Sequence, residues 1–408
     1  MNPANPLLTG VRVLDLSRLL PGPFCSLYLA QLGAEVIKIE EPGGGDYARE
    51  SPELFAQVNR GKKSVTLDLR QADDVAAFKK LVGGADIVLE SFRPGVMDRF
   101  GCGYDELKKI NPKLVYAALT GYGQTGPYKE WAGHDLNYLA IAGALDQFGS
   151  AGGPPAQINV QVADLAGGAL TCVIGILAAL NGARASGAGT LVDVGMTDGS
   201  AAMQVIALAS LREHGKSFPR GADLLSGALP NYAVYKCRDG RYLALGALEP
   251  KFLKRLGTVL WESSPAMLRK LLDKVMAVRK PRAEPKEQKT TINAFGKLGE
   301  KLRDPDQARR YLAPLRVALM ALFRTRPRDA WVKLLAAQDT CVTPVLTLEE
   351  ALKNPQLRAR KMIVDDAGKP AFALPILFSG PRPAVGPSPK LGQHNAEILG
   401  RPSVSSRA

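Results

Sequence analysis

Histidine is scarce in this 408-residue chain, and one of the three histidines stands where acid–base chemistry is feasible. His134 lies in AGHDLNYLAIAGAL, where a glycine precedes it and an apolar run follows, so the pattern predicts a helix start. The amino end of a helix lowers the proton affinity of a histidine and offers unpaired N–H groups to a developing negative charge. A capping or packed histidine has the same local pattern. We interpret His214, at a predicted helix end, and His394, in the Pro/Gly-rich tail, as structural or solvent-facing.

Two carboxylates lie at boundaries between apolar segments. Asp164, in NVQVADLAGGAL, precedes a small-residue helical run, and the pattern alone predicts a helix cap. Burial at such a junction can also raise the proton affinity of an aspartate, because it disfavours the charged form. Gly167 and Gly168, one turn later, permit close approach of a ligand or of another backbone. Glu249, in GALEPKF, follows an apolar strand and precedes a proline, which is typical of a helix start.

These residues need a scaffold, and the first 120 residues alternate strand and helix patterns. Charged amphipathic stretches at 71–81 and 104–110 predict helices, and short apolar runs predict strands. Alternation at this spacing indicates a mostly parallel sheet with helices on its faces, a Rossmann-like α/β fold. Ligands of such sheets bind at the carboxyl ends of the strands. The predicted strands are 11–16, 34–40, 64–69, 85–91 and 114–121, with a PGPF turn before a helix at 24–32.

The pattern changes after the segment TLVDVGMTDG and a predicted helix over 200–212, which indicates a second domain. The Gly- and Pro-containing stretch that follows predicts a linker. A hairpin is predicted around Arg238-Asp239-Gly240, because Asp-Gly favours tight turns. The predicted bounds are 1–210, completed by 340–408, for the large α/β domain, 211–231 for the linker and 232–339 for a small α+β domain.

The composition, 46% hydrophobic and 23% charged, allows a large core and argues against wholesale disorder. The five cysteines are scattered and form no C-x-x-C pair, which indicates reduced thiols in a cytoplasmic protein rather than a disulfide framework or a zinc site. The amino terminus does not have the pattern of a secretory signal. The most apolar stretch, 167–180, is shorter than the roughly 20 residues of a membrane span. We expect a soluble, cytoplasmic protein without a membrane span.

The formal net charge of +14 raises the hypothesis of a nucleic-acid partner. Much of the excess lies between Arg269 and Asp329, around a basic stretch at about 277–315. We interpret this stretch as a solvated insertion on the small domain, and an anionic partner or membrane surface is the alternative. It contains few aromatic residues and no recognised nucleic-acid motif, so we expect no nucleic-acid partner.

Long motifs follow one another over nearly the whole chain in the order of a known family. They run from LTGVRVLDLSRLLPGPF through NRGKKSVTLDLR, ESFRPGVMDRFG, AGHDLNYLAIAG and LEPKF to DTCVTPVLTLEEAL. The chain resembles the family III CoA-transferases and, through GHDLNY, their α-methylacyl-CoA racemase branch. The resemblance implies that His134 and Asp164 are the catalytic acid/base pair and that Glu249 and Asp135 support the histidine. It also implies an interlocked homodimer with the active site between domains.

The implied reaction moves a proton on the α-carbon of a 2-methylacyl-CoA thioester through an enolate. Inverting that carbon requires a base on one face and an acid on the other, so a neutral His134 would take a proton while a protonated Asp164 supplies one. No metal or redox cofactor is needed, and CoA is carried by the substrate. The closest alternative is CoA transfer with Asp164 as acyl-anhydride nucleophile, but a transferase needs no second base. A non-catalytic acyl-CoA or nucleic-acid binding protein with the same fold is the third hypothesis.

The resemblance also implies a CoA carrier site on strand-end loops, where basic groups suit the phosphates. One departure is Glu41, which stands where the racemases have an arginine before a proline and which cannot pair with a phosphate. Nucleotide contacts there must come from elsewhere, such as Lys38 or Lys62. The implied carrier-binding residues are Leu67, Asp68, Leu69, Arg70, Ser91, Phe92, Arg93, Arg99, Gly133, Asn137 and Tyr138.

Overall fold

The computed structural model describes residues 7–264, 269, 303–380 and 385–401. The described chain forms two compact units, the first from the segments 1–145, 158–204 and 352–408, the second from 146–157 and 205–351. The domain bounds expected from the sequence stay a prediction.

Six parallel strands form the main sheet of the first unit. They are β1 (Arg12–Asp15), β2 (Glu35–Glu40), β3 (Lys63–Thr66), β4 (Ile87–Glu90), β5 (Val115–Thr120) and β6 (Leu191–Gly195). Their order across the sheet is β3-β2-β1-β4-β5-β6, which is the doubly wound Rossmann order. Leu14 of β1 pairs with Ile37 of β2 on one side and with Val88 of β4 on the other. The predicted α/β class and the five predicted strands are confirmed.

The helices alternate with these strands in the first unit and dominate the second. In chain order they are α1 (Pro21–Gln31), α2 (Pro52–Asn59), α3 (Ala72–Val82), α4 (Val96–Arg99), α5 (Tyr104–Ile110), α6 (Asp135–Ile141), α7 (Thr171–Ser186), α8 (Met196–Ala202), α9 (Val205–His214), α10 (Pro250–Ser263), α11 (Pro305–Phe323), α12 (Arg328–Ala336), α13 (Leu348–Ala351), α14 (Pro355–Ala359) and α15 (Asn395–Leu399). The predicted PGPF turn is instead the first turn of α1, because proline at the first helical position lacks only an N–H that has no helical partner there.

The core of the first unit consists of alternating apolar residues from neighbouring strands and the helices that cover them. Leu14, Ile37, Val65 and Val88 pack with Phe78 of α3, and none of them is more than 1% exposed. Fully burying such a side chain contributes about 1.5–3 kcal/mol each. The carboxyl ends of the strands are thereby held in fixed positions relative to one another.

A continuous helical segment, Ala163–Ser186, crosses the first unit. Among the described residues it is the one helix whose 24-residue length and mean hydropathy of 1.9 would suit a membrane span. It packs against α1 and β5, and 44% of its apolar window is buried.

The second unit contains the predicted hairpin. Strands β7 (Tyr232–Lys236) and β8 (Tyr242–Gly246) are antiparallel, and β9 (Val342–Pro344) pairs with β8. Helices α10, α11 and α12 cover this sheet around a core that includes Phe323 and Trp331. The first unit has a further short hairpin of β10 (Ile363–Asp366) and β11 (Lys369–Phe372). Residues 277–302 of the basic stretch lie outside the described residues.

Candidate active site

His134 immediately precedes α6, so the predicted helix start is confirmed. The residue is exposed, and its backbone N–H donates to Oδ1 of Asn137 at 3.1 Å, which fixes the entry of the chain into the helix. Tyr138 is buried, and its hydroxyl donates to the carbonyl oxygen of Gly133. The candidate base is therefore an exposed residue that is anchored through its backbone and its neighbours.

Asp164 is the second residue of a π-helical segment, Ala163–Leu170, rather than the cap before a helix. Its backbone N–H donates to Oδ1 of Asp135, the first residue of α6, at 3.0 Å. This bond joins the amino end of the π-helical segment to the residue that follows His134. Wide π turns are frequent at functional sites because the extra residue re-aims neighbouring side chains.

The half-buried carboxyl group of Asp164 has an unusual proton affinity. Burial and, secondarily, the nearby Asp135 carboxylate raise the pKa of Asp164 from 3.8 to about 7. Near neutral pH this carboxyl group can then donate a proton as well as accept one. Such a group suits a step in which acid and base exchange roles.

Glycines bring the supporting helices close enough to hold this arrangement. Helix α8 packs against both α6 and the π-helical segment. A Cβ atom on Gly167 would lie 2.9 Å from the carbonyl oxygen of Met196, and one on Gly199 would lie 1.9 Å from the carbonyl oxygen of Gly167. Gly167 thus permits the close approach of another backbone, and its predicted close approach to a ligand stays a prediction.

Glu249 lies in the second unit, directly before α10, so the predicted helix start is confirmed. The residue is exposed, and Pro250 occupies the first helical position. Its predicted support of His134 stays a prediction.

The predicted carrier-binding residues lie in the first unit, on strand-end loops and in the short helices α4 and α6. Leu67 to Arg70 follow β3, and Ser91 to Arg93 follow β4, so both groups lie at the carboxyl edge of the sheet. Arg93 and Arg99 are exposed, and Arg99 ends α4. Gly133, Asn137 and Tyr138 surround the start of α6. Their binding of CoA stays a prediction.

Glu41 forms ion pairs at this edge. Its Oε1 accepts a hydrogen bond from Nη2 of Arg70 at 2.6 Å. Asp68, after β3, accepts one from Nε of the same arginine at 2.7 Å. Both charge-assisted bonds raise the pKa of Arg70, with Asp68 the larger cause. The positive charge of Arg70 is thus shared between two carboxylates.

A family model described as CoA-transferase family III matches residues 8–395. The chain belongs to this family. It is 32% identical to the alpha-methylacyl-CoA racemase of Homo sapiens over 96% of this chain and 92% of that protein. It is 31% identical to the acetyl-CoA:oxalate CoA-transferase of Acetobacter aceti over 95% of this chain and 94% of that protein. The crystal structure of a CAIB/BAIF family protein from Brucella suis has a TM-score of 0.76 at 30% identity, covering 96% of this chain and 98% of that one.

CoA-transferase family III is thus an enzyme family whose members carry both racemase and CoA-transferase names. Acyl-CoA is the substrate class consistent with it. The similarity extends through both units, so the resemblance inferred from the motifs is confirmed at the level of the family.

Two lysines of this family III chain have a role different from the one expected. Lys38 and Lys62 were candidates for contacts to the nucleotide, but both side chains are 0% exposed. Lys38 Nζ lies 2.8 Å from Oδ2 of Asp46, and Lys62 Nζ lies 3.1 Å from Oδ2 of Asp15. The expectation is wrong, because neither ammonium group reaches solvent.

Sequence reasoning missed the buried ionic network that contains Asp15. The Asp15 carboxylate accepts hydrogen bonds from the hydroxyl groups of Ser17 and Ser26 and from the Lys62 ammonium group. The available signal was a charged residue in an apolar strand: Asp15 is the aspartate of the run VRVLDL and the last residue of β1. A residue of that kind is almost never fully buried unless it is paired.

Proposed function

We propose that this protein is an α-methylacyl-CoA racemase, which interconverts the epimers of 2-methyl-branched acyl-CoA thioesters. The observation that carries the proposal is the neighbourhood of His134 and Asp164: Asp135, the residue after His134, accepts the backbone N–H of Asp164 at 3.0 Å. One candidate base and one carboxyl group with a pKa of about 7 thus lie at adjoining helix starts. A 1,1-proton transfer requires such a pair.

In the proposed mechanism, His134 removes the α-proton of one epimer and the protonated Asp164 delivers a proton to the opposite face. The roles are reversed for the other epimer, so each residue must exist in both protonation states near neutral pH. The raised pKa of Asp164 supports this requirement. CoA is part of the substrate, and the step requires no metal or redox cofactor. Asp135 and Glu249 are proposed as positioning residues for the histidine.

CoA transfer between carboxylic acids is the second candidate, because relatives at similar identity carry that name. In that reaction an ionised Asp164 would attack the thioester carbonyl, break its C–S bond and form an acyl anhydride with release of the CoA thiolate. Burial beside a second carboxylate favours the protonated form of Asp164, which is the weaker nucleophile. His134 has no required role in a transferase. Both points favour racemisation.

Incubation with a chiral 2-methylacyl-CoA in deuterated water separates the two reactions. We expect α-deuterium incorporation with loss of chirality, and we expect His134→Ala to lower the exchange rate about 100-fold or more. His214→Ala is the matched control, since His214 ends α9 in the second unit and should leave exchange unchanged. Absence of exchange together with CoA transfer to a free acid would rule out the racemase, and exchange that survives in His134→Ala would rule out the two-base mechanism.

We also propose a cytoplasmic homodimer. Large apolar side chains that are exposed in the single chain support a partner surface, among them Ile174 (70%), Val205 (65%) and Leu208 (55%). Burying such residues in a second copy removes apolar area from water. All five cysteines are free, which supports a reducing compartment. Light scattering on the purified protein measures the oligomeric state.

A further inference from the structure

The sheet has one topological switch point, and an arginine that the sequence analysis did not assign lies at it. The strand order reverses between β1 and β4, so the chains that leave these strands diverge and open a crevice at their carboxyl ends. The loop after β1 carries Arg18, and the loop after β4 carries Ser91 and Phe92. Open α/β sheets bind their ligands in this crevice.

Contacts from the loop after β4 and from the segment after β2 hold Arg18 in place. Its backbone N–H donates to Oγ of Ser91 at 3.2 Å, and its guanidinium carbon lies 5.1 Å from the ring centre of Tyr47 and 5.2 Å from that of Phe92. Nη1 donates to the hydroxyl group of Tyr47 at 3.1 Å. Leu19, the next residue, has a φ of 62°, and its N–H donates to Oδ1 of Asp46. Leu19 thus keeps a left-handed conformation that a leucine rarely adopts, and this conformation sets the direction of the backbone next to Arg18.

Carboxylates neutralise Arg18 less than Arg70, which lies at the same edge of the sheet. Arg70 gives two short hydrogen bonds to carboxylates, one of them to Oε1 of Glu41. The other oxygen of Glu41 lies 3.9 Å from Nη2 of Arg18, which is too long for a hydrogen bond. An ion pair of that length at a partly exposed site is weak. A dianionic phosphate group that accepts two hydrogen bonds from the guanidinium group competes well against it.

We propose that Arg18 binds a phosphate group of the CoA nucleotide. In the absence of CoA, Glu41 forms a long ion pair with the Arg18 guanidinium group, and the phosphate replaces this carboxylate. The carrier identity rests on the proposed function, whereas the placement of Arg18 rests on the sheet topology and its contacts. Arg18 is then a binding residue in the crevice between β1 and β4. Glu41 is a competitor, so its removal strengthens binding.

Isothermal titration with CoA and with adenosine 3′,5′-bisphosphate tests this without any turnover. Arg18→Ala should weaken the binding of both at least about tenfold, because it removes the hydrogen bonds from the guanidinium group to a charged phosphate. Glu41→Gln should strengthen both about twofold to threefold, because the competing ion pair is long and partly exposed and therefore weak. Arg18→Lys keeps the charge but loses the forked geometry, so it should fall between wild type and Arg18→Ala.

Arg12→Ala is the matched control. Arg12 lies at the opposite end of β1, is similarly ion-paired (to Glu35 at 2.7 Å) and has a side chain that is 42% exposed. Its substitution should leave both affinities within about twofold. Equal affinities for wild type and Arg18→Ala, an equal loss in Arg12→Ala, or weaker binding by Glu41→Gln would overturn the proposal. A wild-type protein that binds CoA but exchanges no α-deuterium would contradict the racemase and leave the role of Arg18 standing.

Discussion

Asp15 and Asp164 are aspartates of the same unit that are both withdrawn from water, yet their environments move their proton affinities in opposite directions. Burial alone would raise the pKa of Asp15, but Lys62, Lys38 and two serine hydroxyl groups together hold it well below its usual range. Burial also raises the pKa of Asp164, and its charged neighbour is another carboxylate, which raises the pKa further. The pKa of Asp164 is therefore about 7.

The difference separates an aspartate that stays ionised in a buried ionic network from one whose pKa suits the proposed proton transfer. The Asp15 carboxylate is 0% exposed and meets lysine and serine donors, which leaves it no proton to exchange near neutral pH. Asp164 is only half-buried, and within the described residues it forms no salt bridge. A carboxyl group without a cation remains able to gain and lose a proton, and this ability is what a proton-transfer enzyme requires.

The largest expected effect is on stability and concerns the buried charge of Asp15. Lys62→Met leaves the Asp15 carboxylate buried without its nearest cation, so we expect a loss of about 3–5 kcal/mol in the free energy of unfolding. Urea denaturation measures it. The neighbouring Lys63 is the control: its side chain is 32% exposed and pairs with Glu35 and Glu397, so Lys63→Met should cost about 1 kcal/mol or less. Equal losses in the two variants would show that the buried network is not structural.

The carboxyl group of Asp164 should affect turnover rather than folding. Asp164→Asn cannot exchange a proton, so we expect α-deuterium exchange to fall about 100- to 1000-fold. The same substitution should stabilise the folded protein at high pH relative to low pH. Because the folded pKa of about 7 exceeds the ordinary 3.8, the folded state binds more protons between these values, and wild-type stability falls as the pH rises through that window.

Asp164→Asn removes that slope, which urea titrations at pH 5 and pH 8 measure. A variant that is less stable than wild type at pH 8, relative to pH 5, would contradict the raised pKa. Asp15 provides the internal reference, because its lowered pKa contributes stability that is lost only when the pH falls below its ordinary value of 3.8.

The smallest expected effect concerns Asp135, whose negative charge is the second cause of the raised pKa of Asp164. Asp135→Asn keeps an oxygen that accepts the Asp164 N–H but removes the charge, so the pKa of Asp164 should fall by less than about one unit, since burial is the larger cause. The pH profile of deuterium exchange reports the shift. Asp105→Asn, at an exposed helix start where Asp105 pairs with Lys108, is the control and should not move the profile. An upward shift in Asp135→Asn would refute the assignment.

Much of the fold was predictable because apolar periodicity alone specifies it. The runs VRVLDL, AEVIKIE and LVYAALTG became β1, β2 and β5, and Asp239-Gly240 indicated the hairpin of the second unit. The PGPF turn was wrong because a proline suits a first helical turn as well as a loop. The helix start at His134 was readable from its glycine and the apolar run after it.

The lysines mark the limit of such reasoning. Lysines are usually exposed to solvent, so no local pattern indicated that Lys38 and Lys62 are buried. Only the register of the sheet places each of them beside a buried aspartate. Arg18 was unassigned for the same reason: its neighbours Tyr47 and Phe92 lie 29 and 74 positions away in the chain. Contacts between distant positions carry no local pattern.

The sequence by itself determined the alternation of strands and helices, the helix that begins after His134 and the membership of CoA-transferase family III. Those properties depend on local periodicity or on motif order. Only the tertiary structure decided that Asp15 is a charged structural group and Asp164 a protonatable one. The reason is physical: a proton affinity depends on burial and on the charges a few ångströms away, and these are set by packing.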